Sequence, residues 1–285
     1  MMTGFHTRFA PSPTGFLHLG HVASAFHARD RAGTQGKFLI RIEDIDAQRC
    51  LPEFEVALLD DLAWLGFVSD GAVLRQSDHL PYYRATLERL HDQGLLYACT
   101  CSRAQVKACA LGVAPDGSPV YGGTCRGRSQ APGQPHVWRL DMAAALSRLG
   151  GSPSWRELGQ GAVAGRAASF GDVVLGRRDN GVSYHLCVTS DDARQGITLV
   201  TRGADLFEAT SVHRVLQELL GFPEPLYAHH GLLLDEAGCK LSKRDGAESL
   251  RALRARGLTA PELIALARKA LDLAAFIPEG RSADR

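Results

Sequence analysis

The sequence predicts an α/β fold built on a parallel sheet, and three observations carry that expectation. Residues 7–65 alternate strand-like and helix-like patterns twice, the order that parallel strands with helical crossovers require. The alternation resumes near residue 195. Between these halves, 76–185 breaks the rhythm with a Gly/Pro-rich stretch at 112–135 and short strand-like pieces. The expected organisation is therefore one α/β domain in two halves (1–75 and 186–245), an inserted domain (76–185) and a short C-terminal helical segment (246–285).

Each element has a local cause. Thr7-Arg8-Phe9-Ala10 is the first strand, and it stops at Pro11-Ser12-Pro13-Thr14-Gly15, because both prolines exclude helix nearby. A helix follows from about Gly20 to Ala32, with Gly33 as its C-cap. Lys37–Ile42 is the second strand. Residues 53–65 form the second helix, with Phe54, Leu58, Leu62 and Leu65 spaced to share one face. A helix from Asp78 to about Gln93 leads into 112–135, which reads as too polar to pack as a core. His136–Leu140 is strand-like within the insertion. Ile197–Val200 resumes the sheet, and Ser211 is expected to cap a helix carrying Val212, Val215, Leu216 and Leu219. Pro225–Leu234 is the next strand. Residues 246–272 are helical, and Thr259 with Glu262 forms a capping box that opens the last helix.

Composition narrows the function classes. With 285 residues, 45% hydrophobic and 22% charged, the chain is an ordinary globular protein of about two domains. No apolar run approaches the roughly 18 residues that span a bilayer, and the N-terminus lacks the apolar core of a secretory signal. A cytoplasmic location with no membrane partner is expected, and a monomer. The net charge of +1 excludes a polybasic nucleic-acid binder of the histone type. The charge is nonetheless uneven: 43–61 carries seven acidic groups and one Arg, whereas 239–256 carries six basic and two acidic. The basic segment suits a nucleotide phosphate or a structured RNA, or the two segments are solvated helix faces of opposite sign. Seven cysteines, an odd number, without an export signal argue against a disulfide framework.

Three constellations carry chemistry. The first is His18-Leu19-Gly20-His21, placed between a strand and a helix. A glycine at a helix start lets a nucleotide approach the backbone, and the free N–H groups there attract an anion. Two imidazoles on the opening turn can stabilise phosphate charge during a displacement; capping or packing is the competing role. The second is Lys240-Leu241-Ser242-Lys243, where Lys240 and Lys243 on a loop suit a pyrophosphate leaving group. The third is Cys99, Cys101 and Cys125 in one short window. Thiolates this close suggest a tetrahedral structural zinc site, which needs a fourth ligand. Tyr121, Cys109 and His136 compete for that position.

The paired HLGH and KLSK motifs resemble the signatures of class I aminoacyl-tRNA synthetases. Arg8-Phe-Ala-Pro-Ser-Pro-Thr-Gly, Arg41-Ile-Glu43-Asp44-Ile-Asp46, Arg202-Gly203-Ala204-Asp205 and Lys240-Leu-Ser-Lys-Arg-Asp-Gly resemble the glutamyl branch, and the likeness runs from about 7 to 275. It implies a Rossmann-type catalytic domain, ATP and L-glutamate as substrates, and Mg²⁺ accompanying ATP. It also implies that Arg8, Ala10, Ser12, Glu43, Tyr184 and Arg202 line a glutamate pocket, while His18, Gly20, His21 and Lys243 meet ATP. Chemistry points the same way for three of these. Glu43, ending a strand, offers an anion to an α-ammonium, and Arg8 and Arg202, at strand edges, offer planar cations to a carboxylate.

Within that branch, the metal pattern is discriminating. Full-length glutamyl synthetases with zinc tend to show C-x-C followed by C-x-H, but Cys125 is followed by Arg126-Gly127. C-x-C with Tyr121-x3-Cys125 resembles instead a family of shortened glutamyl paralogues, in which the insertion is acceptor-binding-like and contains zinc. The chain also ends about 40 residues after its second motif, so no anticodon-binding domain is expected. The resemblance implies tRNA-independent activation of glutamate and its transfer to queuosine in the anticodon of tRNA(Asp). The alternative is a shortened conventional glutamyl-tRNA synthetase that charges the tRNA 3′ end.

Overall fold

The computed structural model describes residues 4–129, 133–179, 181–233 and 248–274. Lys240 and Lys243 lie outside the described residues. Two compact units emerge. One comprises Met1–Leu74, Leu199–Asp205 and Ala228–Arg285, and the other Arg75–Thr198 and Leu206–Tyr227.

The first unit opens with β1 (His6–Phe9), α1 (Leu19–Ala32) and β2 (Lys37–Ile42). β1 and β2 pair in parallel, from His6 opposite Lys37 to Phe9 opposite Ile40. β2 is buried along all but its first residue, as a parallel strand covered on both faces should be. α1 ends as expected at Gly33, whose φ of +64° is a conformation that side-chain-bearing residues rarely adopt. α2 (Pro52–Trp64) follows, with Glu53 and Glu55 in its first turn, where acids complement the helix dipole. Leu58 and Leu62, with Leu65 just beyond the helix, are buried. β3 (Leu74–Arg75) ends this segment.

The second unit begins with a 3-10 turn (Gln76–His79) and α3 (Leu80–Asp92). The α-helix therefore starts two residues later than expected, with Pro81 in its first turn, where the missing N–H costs nothing. β4 (Leu96–Cys99) leads through α4 (Arg103–Ala108) to β5 (Val137–Leu140). After α5 (Met142–Leu149), β6 (Trp155–Glu157) and β7 (Gly161–Val163) form an antiparallel pair. β8 (Val174–Gly176) completes a three-stranded sheet of order β4-β5-β8, antiparallel throughout. α6 (Tyr184–Arg194) follows.

The chain then returns to the first unit with β9 (Leu199–Gly203), two residues later than the expected strand. α7 (Thr210–Leu220) belongs to the second unit. β10 (Leu226–His230) begins in the second unit, where Tyr227 pairs in parallel with Glu157 of β6. Its end lies beside β9 in the first unit. α8 (Leu250–Ala255) and α9 (Ala260–Leu273) close the described chain, and the expected capping box is present, with Thr259 N–H donating to Glu262 Oε2 at 2.8 Å.

The first unit's core gathers the alanines of α1 (Ala23, Ala25, Ala28), Phe38 and Ile40 of β2, Leu58 and Leu62 of α2, and Leu250, Leu263 and Ala267 of the last two helices. The small residues let α1 lie close to its neighbours. No described helix is long and apolar enough to cross a membrane.

Two expectations are corrected. Ser211 does not cap α7: the helix begins at Thr210 after Ala209, two residues before a Ser211 cap would start it, and the Ser211 hydroxyl instead accepts the Arg166 N–H at 3.0 Å. The stretch 112–135, read as unable to pack, buries Ala114, Tyr121 and Cys125. Thiols and a phenol drive that burial, so a count of aliphatic residues misses it.

Candidate active site

The start of α1 is built by its histidines. His18 is the N-cap, and its Nδ1 accepts the Gly20 N–H at 3.1 Å. His21 reciprocates, its Nδ1 accepting the His18 N–H at 3.1 Å. This is a capping box made from imidazoles in place of the usual Ser and Glu. A backbone N–H can only donate, so both Nδ1 atoms carry lone pairs. Both rings are thus neutral and carry their proton on Nε2, ready to donate to an anion. The ring centroids are 3.9 Å apart. A Cβ at Gly20 would lie 2.9 Å from His18 Cε1, so a larger residue there would push the capping ring aside. The capping role weighed against catalysis is therefore real, and it fixes the tautomer of both rings.

The other first-unit candidates stand at strand ends. Arg8, in β1, is buried and donates from Nη1 to the Thr201 carbonyl at 2.8 Å, the residue before Arg202 in β9. Glu43 follows β2 directly, and its N–H donates to the Pro11 carbonyl at 3.1 Å, next to Ala10 and Ser12 in the loop after β1. Ala10 is half-buried and Ser12 exposed. These contacts bring Arg8, Ala10, Ser12, Glu43 and Arg202 to β1, the loop after it, the end of β2 and β9.

Two supporting residues were given no role from the sequence. Arg41, wholly buried, donates from Nε and Nη2 to Glu43 Oε1 at 3.3 and 3.1 Å, so the direction of the Glu43 side chain is fixed. His229, near the end of β10, accepts the Arg202 Nε–H on its Nε2 at 3.1 Å. The available signals were an arginine two residues before the glutamate on a buried strand and a His-His pair in a strand otherwise apolar. A further imidazole, His27, is driven down to about 3 by burial first and then by His230. It is a neutral residue of α1 itself, its ring 5.3 Å from that of His230.

Tyr184 opens α6 in the second unit, half-buried. Its ring lies 5.5 Å from that of His185 and 5.9 Å from that of His213.

The second unit also holds the cysteine cluster. The Sγ atoms of Cys99, Cys101 and Cys125 all lie within 4.8 Å of one another, and Cys101 is 3.5 Å from Cys125. Four ligands on zinc at the usual thiolate bond length have edges of about 3.8 Å, so the three thiols fit three vertices. Tyr121 Oη lies 3.3 Å from Cys101 Sγ and accepts the Cys125 N–H at 2.9 Å, in position for the fourth. Its competitors, Cys109 and His136, are not part of the group of converging ligand atoms. The Cys109 thiol bonds to the Val106 carbonyl, and His136 bonds to the Gln134 carbonyl and packs on Trp138. Burial raises the Cys125 thiol, but hydrogen bonds from Tyr121 and Thr100 outweigh it and bring the group down to about 6. Burial, then bonds to the thiols, push the Tyr121 phenol above its ordinary range. The Arg139 guanidinium lies 4.0 Å over the Tyr121 ring, a cation placed to favour negative charge on it.

Residues 4–270 match the family described as tRNA synthetases class I (E and Q), catalytic domain. A Rhodobacter capsulatus protein named glutamyl-Q tRNA(Asp) synthetase is 49% identical over 274 residues, which cover 90% of this chain and 97% of that protein. A Dechloromonas aromatica protein of the same name is 42% identical over 277 residues, with 93% and 90% covered. Among solved structures, a glutamate tRNA ligase from Elizabethkingia meningosepticum, in complex with its amino acid, superposes with a TM-score of 0.68 at 28% identity. That match covers 85% of this chain and 52% of the ligase, so the chain spans about half of that protein's length. A Mycobacterium tuberculosis methionyl-tRNA synthetase, at 14% identity and a TM-score of 0.58, shares the fold.

Proposed function

The chain belongs to the class I tRNA synthetases of the E and Q type, and we infer that it is a ligase that activates L-glutamate with ATP and transfers it to queuosine of tRNA(Asp). The observation that carries this reading is the near end-to-end similarity to proteins named glutamyl-Q tRNA(Asp) synthetase. The acid-binding and phosphate-binding groups of the first unit have the chemistry that activation demands.

In the first step, a glutamate α-carboxylate oxygen bonds to the α-phosphorus of ATP, and the bond from that phosphorus to the pyrophosphate oxygen breaks. His18 and His21 donate from Nε2 to the phosphate oxygens as charge shifts, beside the positive end of α1. Lys240 and Lys243 neutralise the departing pyrophosphate, and Mg²⁺ accompanies ATP. Arg8 and Arg202 grip the substrate side-chain carboxylate, Glu43 the ammonium, and Ala10 and Ser12 the loop side of the same pocket. Tyr184 is assigned to glutamate on the resemblance alone. In the second step, a hydroxyl oxygen of queuosine attacks the carbonyl of the mixed anhydride and AMP leaves. The catalysis is positioning and electrostatics.

Cys99, Cys101, Cys125 and Tyr121 would hold one zinc ion, which orders the insertion and takes no part in the steps above. The protein acts as a monomer in the cytoplasm in this reading.

Two assays test it. Pyrophosphate should exchange into ATP with glutamate and without tRNA. Labelled glutamate should then enter tRNA(Asp) that contains queuosine, and nuclease mapping should locate the label at the anticodon. Label at the 3′ end, or exchange that strictly needs tRNA, would assign the protein to conventional glutamyl-tRNA charging.

A further inference from the structure

We propose that His229 is a positioning residue for glutamate, acting through Arg202; the proposal rests on the assignment of Arg202 to the substrate's carboxylate. The two side chains come from neighbouring strands, β9 and β10, and both are buried. Arg202 Nε–H donates to His229 Nε2 at 3.1 Å. A guanidinium has no acceptor atom, so the imidazole nitrogen facing it must be a lone pair and His229 must be neutral. The bond commits the Nε edge of the guanidinium, which closes the side-on fork through Nε to any carboxylate. It also sets the plane of the guanidinium. A planar donor grips a carboxylate well only when its plane is set in advance, because two parallel N–H···O bonds must align together. Arg8 is held in a comparable way, by the Thr201 carbonyl. Both cations are thus clamped by acceptors carried on β9 and β10.

The test uses three substitutions of different reach in the full-length chain. A glutamine carbonyl oxygen reaches about as far as His Nε2, an asparagine oxygen only about as far as Nδ1, and leucine offers no acceptor. In glutamate-dependent pyrophosphate exchange, His229→Gln is expected to keep the glutamate KM within about threefold of the parent. His229→Asn and His229→Leu are expected to raise it at least about tenfold, equivalent to about 1.4 kcal/mol, with the KM for ATP unchanged and kcat changed by less than about threefold. Arg202→Leu is run beside them. If Arg202→Leu raises the glutamate KM and none of the His229 variants does, the clamp is refuted while the pocket stands. If the glutamine variant loses kcat and both KM values along with the others, His229 is merely structural and the proposal is overturned. If Arg202→Leu itself leaves the glutamate KM unchanged, the pocket assignment fails and the clamp falls with it.

Discussion

His18 and His21 cap each other: the His18 N–H donates to His21 Nδ1 at 3.1 Å, while His18 Nδ1 accepts from Gly20. In the function proposed above, one pair of imidazoles does two jobs, closing the helix with Nδ1 and offering Nε2–H to phosphate. Asparagine separates them, because it caps a helix as well as any residue but has no Nε2. His18→Asn should change unfolding free energy by less than about 0.5 kcal/mol. It should slow glutamate-dependent exchange by on the order of a hundredfold, within the range for loss of one transition-state donor. Chemical denaturation and exchange kinetics on the same preparation check this. A large stability loss with intact exchange would make capping the main role.

Lys243 is assigned to the leaving pyrophosphate. Lys243→Ala should cut the exchange rate at least about tenfold, roughly 1.4 kcal/mol of barrier, with little effect on glutamate KM. An unchanged exchange rate in that variant would remove Lys243 from the mechanism.

Much of this was legible in the sequence because the causes are local. Gly33 ends α1 as its position after Ala32 implied, and Thr259 with Glu262 announces α9 four residues before the apolar face appears. Arg8, Glu43 and Arg202 are legible as strand-end charges. What escaped depends on tertiary partners. Ser211 had the right residue type for a cap but met the Arg166 N–H from a distant loop. Tyr121 and Cys125 sit in a polar stretch that buries because thiols, phenol and Arg139 satisfy one another. His229 becomes meaningful only when β9 lies beside β10.

The cysteine cluster makes a metal prediction. The purified protein should carry about one zinc ion, and Cys125→Ser should abolish its retention. Tyr121→Phe should keep the fold but weaken zinc, shown by faster loss to a chelator. Phenylalanine preserves the ring under Arg139 and removes only the oxygen 3.3 Å from Cys101. Metal content by plasma emission spectroscopy, with chelator competition followed in time, decides the point. Zinc held as tightly in Tyr121→Phe as in the parent would leave the fourth vertex to another ligand.

Asp61 is the first unit's weak point. It is fully buried in α2, and neither carboxylate oxygen has a hydrogen-bond partner among the described residues. Burial raises its pKa from 3.8 to about 6, against the pull of Arg251 and with help from Asp60. The folded state therefore binds this proton more tightly than the unfolded chain. The sign follows: Asp61 favours folding most below about pH 4, and its contribution falls as the pH rises through about 6. At pH 7.5 the ionised group costs on the order of 2 kcal/mol. Asp61→Asn keeps the shape and cannot ionise. It should stabilise the protein by about 1–2 kcal/mol at pH 7.5, with the gain shrinking steadily toward pH 4.5. Urea titrations of both proteins at several pH values test this, and a gain that stays constant with pH would show that Asp61 is not the titrating group.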